Sequence, residues 1–158
     1  MLHSNDLFVY MQRHGIEGEI LHLDTPTPTV EIAARVVGAR PDQIVKSILF
    51  VVDEQPVLAI TCGTALIDRR AIADLYRVGR KRVRLASPQA VLDFAGYAVG
   101  AMPPFGHLQP LPTLLDRRVL EQDQVYAGGG DENALVRLAT ASLERHTQAR
   151  VVDLQFGR

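Results

Sequence analysis

Lys46 stands in the run Val45-Lys46-Ser47-Ile48-Leu49-Phe50-Val51-Val52, an unusual place for a charge. If the run is a strand, alternation puts Lys46 on one face with Ile48, Phe50 and Val52. A lysine there either snorkels to the sheet edge or holds its ammonium in a pocket. In a pocket it could act as a neutral base or as a fixed positive charge. The fixed charge costs less and stabilises a developing oxyanion directly, so it is the preferred reading.

Two further segments have the composition of ligand-facing backbone. The first is Gly96-Tyr97-Ala98-Val99-Gly100-Ala101-Met102-Pro103-Pro104-Phe105-Gly106-His107. Glycine allows close approach to a ligand and proline stiffens the loop so that its N–H groups stay aimed. The second is Gly128-Gly129-Gly130-Asp131, with no Gly-Lys-Ser/Thr after it and hence no phosphate-binding loop. Either segment could equally be a plain surface connection. His107 could orient a substrate or sit at the surface. The five histidines, at 3, 14, 22, 107 and 146, show no metal-ligand spacing, so neither a metal nor a cofactor is expected. Cys62 ends an apolar run and reads as packing, with a thiol enzyme as the remote alternative. Ser47 and Ser87 lack a recognisable nucleophile setting.

The elements that must position these residues follow from local signals. With 158 residues, 47% of them apolar and 22% charged, the chain fits a single domain spanning 1–158 that needs no disulfide or metal to fold. A helix is predicted over Asp6 to His14, capped by Asn5 and stopped by Gly15, with Leu7, Phe8, Tyr10 and Met11 inward. A strand is expected at Glu19 to Leu23. Thr29 caps a helix ending at Gly38, and Pro41-Asp42-Gln43 opens one more turn. A hairpin joins Ile48–Val52 to Val57–Cys62 through Asp53-Glu54-Gln55-Pro56; both strands are apolar on both faces, which indicates a central sheet or small barrel. Asp68 caps a helix to Arg77, a strand follows at Arg82 to Leu85, and Ser87-Pro88 starts a helix that ends before Gly96. Strands are expected at Pro112–Leu115, Gln124–Ala127, Ala134–Leu138 and Arg150–Leu154, with Thr140 capping a helix to His146. The class is α+β: a mixed, barrel-like sheet flanked by helices.

Charge and targeting signals narrow the setting. Net charge is −1, yet Arg77, Arg80, Lys81, Arg82 and Arg84 cluster, with Arg69 and Arg70 ahead of them. Such a patch can hold a few phosphates, or be only a solvated helix end. No apolar run has the length of a bilayer span, and no secretory signal is read at the start. A single cysteine suits a reducing compartment, so a cytoplasmic protein is expected.

Three segments taken together carry a resemblance. They are Pro41-Asp42-Gln43-Ile44-Val45-Lys46-Ser47-Ile48-Leu49-Phe50, then Gly96-Tyr97-Ala98-Val99-Gly100 with Pro104-Phe105-Gly106, then Val125-Tyr126-Ala127-Gly128-Gly129-Gly130. Their order and spacing resemble the YbaK/prolyl-tRNA synthetase-associated domain family of trans-editing deacylases, from about Ile16 onward. The resemblance implies hydrolysis of the ester joining a mischarged amino acid to tRNA, often tRNA for proline carrying cysteine or alanine. It implies that Lys46 is the catalytic lysine, and that Gly100, Ala101, Met102 and Pro104 form the substrate loop; His107 after Phe105-Gly106 resembles another branch of the family. Gly128, Gly129 and Asp131 would wall the pocket, Arg80, Lys81 and Arg82 would meet tRNA, and prolyl-tRNA synthetase is a candidate partner. The chain departs from many relatives at Ala101, where they have glycine, and at Pro103, where they have serine. Ala127 and Leu23 replace a serine and a tyrosine of cysteine-specific relatives. The competing reading is a non-catalytic tRNA- or nucleotide-binding module associated with a synthetase.

Overall fold

A hairpin organises the structure, a computed structural model that describes residues 1–157. In chain order the helices and strands are α1 (Ser4–Arg13), β1 (Glu19–His22), α2 (Val30–Val37), β2 (Val45–Val52), β3 (Gln55–Cys62), α3 (Arg69–Tyr76), β4 (Val83–Leu85) and α4 (Pro88–Ala95). They continue with β5 (Thr113–Asp116), β6 (Gln124–Gly128), β7 (Ala134–Ala139), α5 (Thr140–Thr147) and β8 (Arg150–Val152). β2 and β3 pair antiparallel from Val45–Cys62 to Val52–Gln55. Their connection is the pair Asp53 and Glu54, both left-handed at φ 48° and 70°, the geometry whose twist suits a two-residue hairpin.

Two sheets result. The larger has the order β4-β2-β3-β5-β8, antiparallel on the β4 side and parallel where β3 meets β5 and β5 meets β8. The smaller is antiparallel, β1-β7-β6. The two touch through a parallel bridge between Ile44 and Tyr126. The fold is α+β with a mixed sheet, as expected; the sheet is open rather than closed into a barrel.

Burial explains why the hairpin is apolar on both faces. Val45, Leu49, Val51, Leu58 and Ile60 point into a cluster shared with Leu7, Met11, Val91 and Tyr97. Phe50, Val52, Val57 and Ala59 point the other way, against Ile72 and Ala73 of α3. Each such buried Val, Leu, Ile or Phe contributes roughly 1.5–3 kcal/mol, so neither face tolerates a polar residue cheaply. A small polar network pins the chain end to β3. Gln155 Nε2 donates to Thr61 Oγ1 and to the Cys62 carbonyl, both at 3.0 Å, and Thr61 Oγ1 donates to Asp116 at 3.1 Å.

Most caps fall where the local signals predict them. Thr29, Asp68 and Ser87 accept from Ile32, Arg70 and Ala90 N–H, and Gly38 takes the left-handed conformation. Two differ. α1 starts earlier, at Ser4, because the His3 N–H donates to Asp6 at 2.8 Å, which places Asn5 inside the helix; Phe8 faces outward while Leu7 and Met11 are buried. Thr140 is the first residue of α5 rather than its cap, and its buried hydroxyl has no partner among the described residues.

Candidate functional site

The site begins with a missing strand partner. β4 pairs with β2 only from Phe50 to Val52, and the last bond on that side is Ala86 N–H to the Leu49 carbonyl, 3.0 Å. Beyond it Ser87 caps α4 and the chain turns away. Beside β6, a single parallel bridge, Ile44–Tyr126, forms just ahead of β2. Since Leu49 presents its carbonyl to this edge, antiparallel alternation aims the peptide groups of Ser47 at the same edge. The edge is therefore open around Ser47.

A pocket of about 380 Å³ fills this gap. Its apolar walls include Val30, Val45, Val91 and Leu135, and Lys46, Gly100, Met102 and Gly128 converge on it. Lys46 is an exposed residue, so its cation stands where solvent reaches the pocket and is not sealed in an apolar interior. It has no hydrogen bond or ion pair among the described residues. Exposed Leu85 and Val99 line the pocket with it. Gly100 lies in a 3-10 turn at Val99–Ala101 whose bond runs from Ala101 N–H to the Ala98 carbonyl, 3.0 Å. The Gly100 N–H precedes that bond and lies outside the turn's own pairing.

The two glycines differ in what a side chain would meet. A Cβ on Gly128 would stand 2.0 Å from the Met102 carbonyl oxygen, so β6 rests directly on the loop backbone. A Cβ on Gly100 would meet only Glu132 Cγ at 3.7 Å, an ordinary contact. The first glycine permits the packing; the second leaves space.

The remaining candidates lie outside the pocket lining. Ala101 is buried, and its carbonyl accepts from Gly130 N–H at 3.0 Å, tying the loop to the glycine turn. Pro104 is buried as well. Gly129 closes the β6–β7 turn by donating to the Ala134 carbonyl at 2.9 Å. Asp131 faces α1: it accepts from the His3 ring at 2.7 Å and from Ser4 N–H at 3.1 Å. Burial alone would raise its pKa, but the bonds from Ser4 and His3 outweigh that and hold the carboxyl below its usual range. Asp131 is thus a clasp on the first helix, not a pocket wall. His107 Nε2–H donates to the Pro103 carbonyl at 2.8 Å and its ring stands edge-on to Tyr97. Burial lowers its pKa against the opposing effect of that bond. It braces the loop from behind.

Of the basic residues, Arg80 and Lys81 face a second groove on the other side of Ile48 and Leu85, whereas Arg82 turns to Asp53 at 2.5 Å and buttresses the hairpin. Cys62 is buried, and desolvation, with Asp116 and Asp42 adding to it, pushes its thiol up to about 12. Burial and this shift both disfavour the thiolate that a nucleophile needs. Among the described residues no three His, Cys, Asp or Glu side chains are grouped to hold a metal ion.

Sequence reasoning weighed Ser47 only as a nucleophile and set it aside. The residue lines the pocket, and its hydroxyl oxygen is buried with no partner among the described residues. Ser47 differs from the other buried hydroxyls without such a partner, those of Tyr97, Thr140 and Ser142, in that its residue lines the pocket. The available signal was a small polar residue in an apolar strand, beside the lysine.

Comparison with known proteins places the fold in a family. The aminoacyl-tRNA editing domain family matches residues 24–146, a span that holds every pocket residue named here. The uncharacterized protein YwhH of Bacillus subtilis is 26% identical over 136 residues, 85% of each chain. Proline–tRNA ligase of Lactiplantibacillus plantarum is 23% identical over 154 residues, covering 97% of this chain but 26% of the ligase, so the chain spans about a quarter of that relative. Among solved structures, a proposed trans-editing enzyme for prolyl tRNA synthetase superposes with a TM-score of 0.91 at 33% identity, covering 98% of this chain and 97% of that one. The hypothetical protein APE2540 gives 0.85 at 28% identity, covering 94% and 98%. With the fold shared nearly end to end and the match running from just after β1 into α5, the chain belongs to the aminoacyl-tRNA editing domain family.

Proposed function

We propose that the protein is a trans-editing deacylase that hydrolyses the ester between a small, wrongly attached amino acid and the terminal ribose of a tRNA. The observation that carries this reading is the convergence of Lys46, Gly100, Met102 and Gly128 on one pocket at the open edge of β2. An aminoacyl ester is already activated, so no covalent nucleophile is required, and Cys62 is unsuited to be one. Water adds to the ester carbonyl carbon, the bond to the ribose oxygen breaks, and that oxygen takes up a proton. The products are a free amino acid and a tRNA ending in its hydroxyl. Lys46 supplies a cation for the charge that develops on the carbonyl oxygen, and the Gly100 N–H supplies a donor that Pro103 cannot.

The apolar walls select by bulk, which separates neighbouring amino acids only by about 1–3 kcal/mol per methylene. Relatives that are proline–tRNA ligases support tRNA for proline as the substrate and its synthetase as a partner; such a substrate would place the protein in the cytoplasm. The test is release of amino acid from Ala-, Cys-, Ser- and Pro-charged tRNA by the purified protein. Release of one small amino acid, with the Pro-charged tRNA spared, is expected. Salt-dependent tRNA binding without release of any would select the non-catalytic binding module instead.

A further inference from the structure

A second groove, of about 1070 Å³, shares Ile48 and Leu85 with the Lys46 pocket, so the two hollows are joined at a common wall. Its charge is one-sided. Arg69, Arg70, Arg80, Lys81 and Arg84 line it against a single carboxylate, Asp68. That carboxylate is occupied, since it caps α3 by accepting from Arg70 N–H at 3.0 Å. Of the five cations only Arg84 has a side-chain ion pair among the described residues, with Glu54 at 3.7 Å.

The groove is also greasy where a surface should be polar. Leu66 is 75% exposed, Phe156 59% and Leu85 54%, and all three line it. Phe156 is held in place: its N–H donates to the Leu66 carbonyl, Ile67 bridges Gln155, and Gln155 is anchored to β3. Cations along a channel with an exposed aromatic ring are what single-stranded nucleic acid requires, phosphates meeting the charges and bases stacking on the ring.

We infer that this groove binds the unpaired 3′ end of an RNA and leads its terminal nucleotide across Ile48 and Leu85 into the Lys46 pocket. The inference rests on the tRNA-ester reading and adds to it the path of the strand, the part played by α3, and Phe156 as a stacking platform. Arg82, committed to Asp53, is outside the path.

Binding is read separately from chemistry. A 5′-labelled single-stranded RNA ending in CCA with a free 3′-hydroxyl is titrated by fluorescence anisotropy at several salt concentrations, beside a blunt RNA duplex. The wild type is expected to prefer the single strand. The double variant Arg70→Glu/Lys81→Glu is expected to lower the slope of log affinity on log salt by about 0.7 for each phosphate that the protein no longer neutralises. Phe156→Ala is expected to weaken binding about tenfold with little change in that slope. Arg13→Glu, on the last turn of α1 and outside the groove, controls for net charge, and thermal melts confirm that each variant is folded. Unchanged affinity and slope in the groove variants, or equal binding of the blunt duplex, would overturn the groove. If the groove variants lose RNA binding while the wild type releases no amino acid from any charged tRNA, the groove stands and the deacylase reading falls.

Discussion

Gly128 and Met102 lie so close that the strand end and the loop share one surface: a Cβ on Gly128 would stand 2.0 Å from the Met102 carbonyl oxygen. Neither atom is the far end of a flexible side chain, so the backbone itself would have to shift. Gly128→Ala is expected to destabilise the protein by about 2 kcal/mol or more and to displace the loop that carries Gly100. Gly100→Ala is expected to leave the melting temperature nearly unchanged, because its Cβ meets only Glu132 at contact distance, while crowding the pocket. Thermal melts paired with kcat/KM on a mischarged tRNA separate the two effects. An equal drop in melting temperature for both variants would contradict the assignment.

Ser47 carries the opposite expectation. Its hydroxyl is buried without a partner among the described residues, a condition that costs a fold about 1–3 kcal/mol. Ser47→Ala should leave stability unchanged or raise it, yet lower kcat/KM by about tenfold if a polar atom of the substrate satisfies the hydroxyl. Activity equal to wild type would remove Ser47 from recognition.

The reach of the sequence can be judged residue by residue. Thr29, Asp68 and Ser87 were readable as caps because a cap is made within a few residues of itself. The hairpin was readable for the same reason. Asp131 was not: its partners His3 and Ser4 lie at the opposite end of the chain, so a residue that looked like a pocket wall is a clasp on α1. Arg82 belonged to a basic run by sequence but to Asp53 in space. The parallel pairing of β3, β5 and β8 left no local trace, because parallel neighbours are joined by long crossovers. Thr140 had the type of a cap and the position of a first helical residue. Lys46, Gly100 and Met102 could be singled out from their types and settings; the open strand edge that brings them to one pocket could not.

His107 gives a pH dependence with a definite sign. Its folded pKa lies below the ordinary 6.5, chiefly through burial. As pH falls the unfolded chain takes up the proton first, so the folded state loses ground. The stabilisation is complete above the unfolded value and is lost as pH drops from about 6.5 towards the folded one. The melting temperature should decline over that window, and His107→Gln, which keeps a donor for Pro103, should flatten the decline. Identical profiles would assign the decline to other groups.

Cys62 should be chemically silent. A buried thiol pushed up to about 12 is protonated at every pH where the protein is assayed. Cys62→Ala is expected to cost about 1–2 kcal/mol of stability through poorer packing and to retain hydrolysis, and the folded wild type should resist alkylation. Loss of turnover in a folded Cys62→Ala would revive the thiol enzyme.

Lys46 remains the decisive residue. Because it is exposed at the pocket, its removal need not disturb the fold, and folding and chemistry can be read apart. The measurement is the single-turnover rate of amino acid release from the tRNA best hydrolysed by the wild type, for wild type, Lys46→Arg and Lys46→Ala at matched melting temperature. Lys46→Ala is expected to slow release by about 10²–10³, the usual effect of losing one group that stabilises an oxyanion, with Lys46→Arg keeping part of the rate. Release by Lys46→Ala at the wild-type rate would show that the cation takes no part in the reaction.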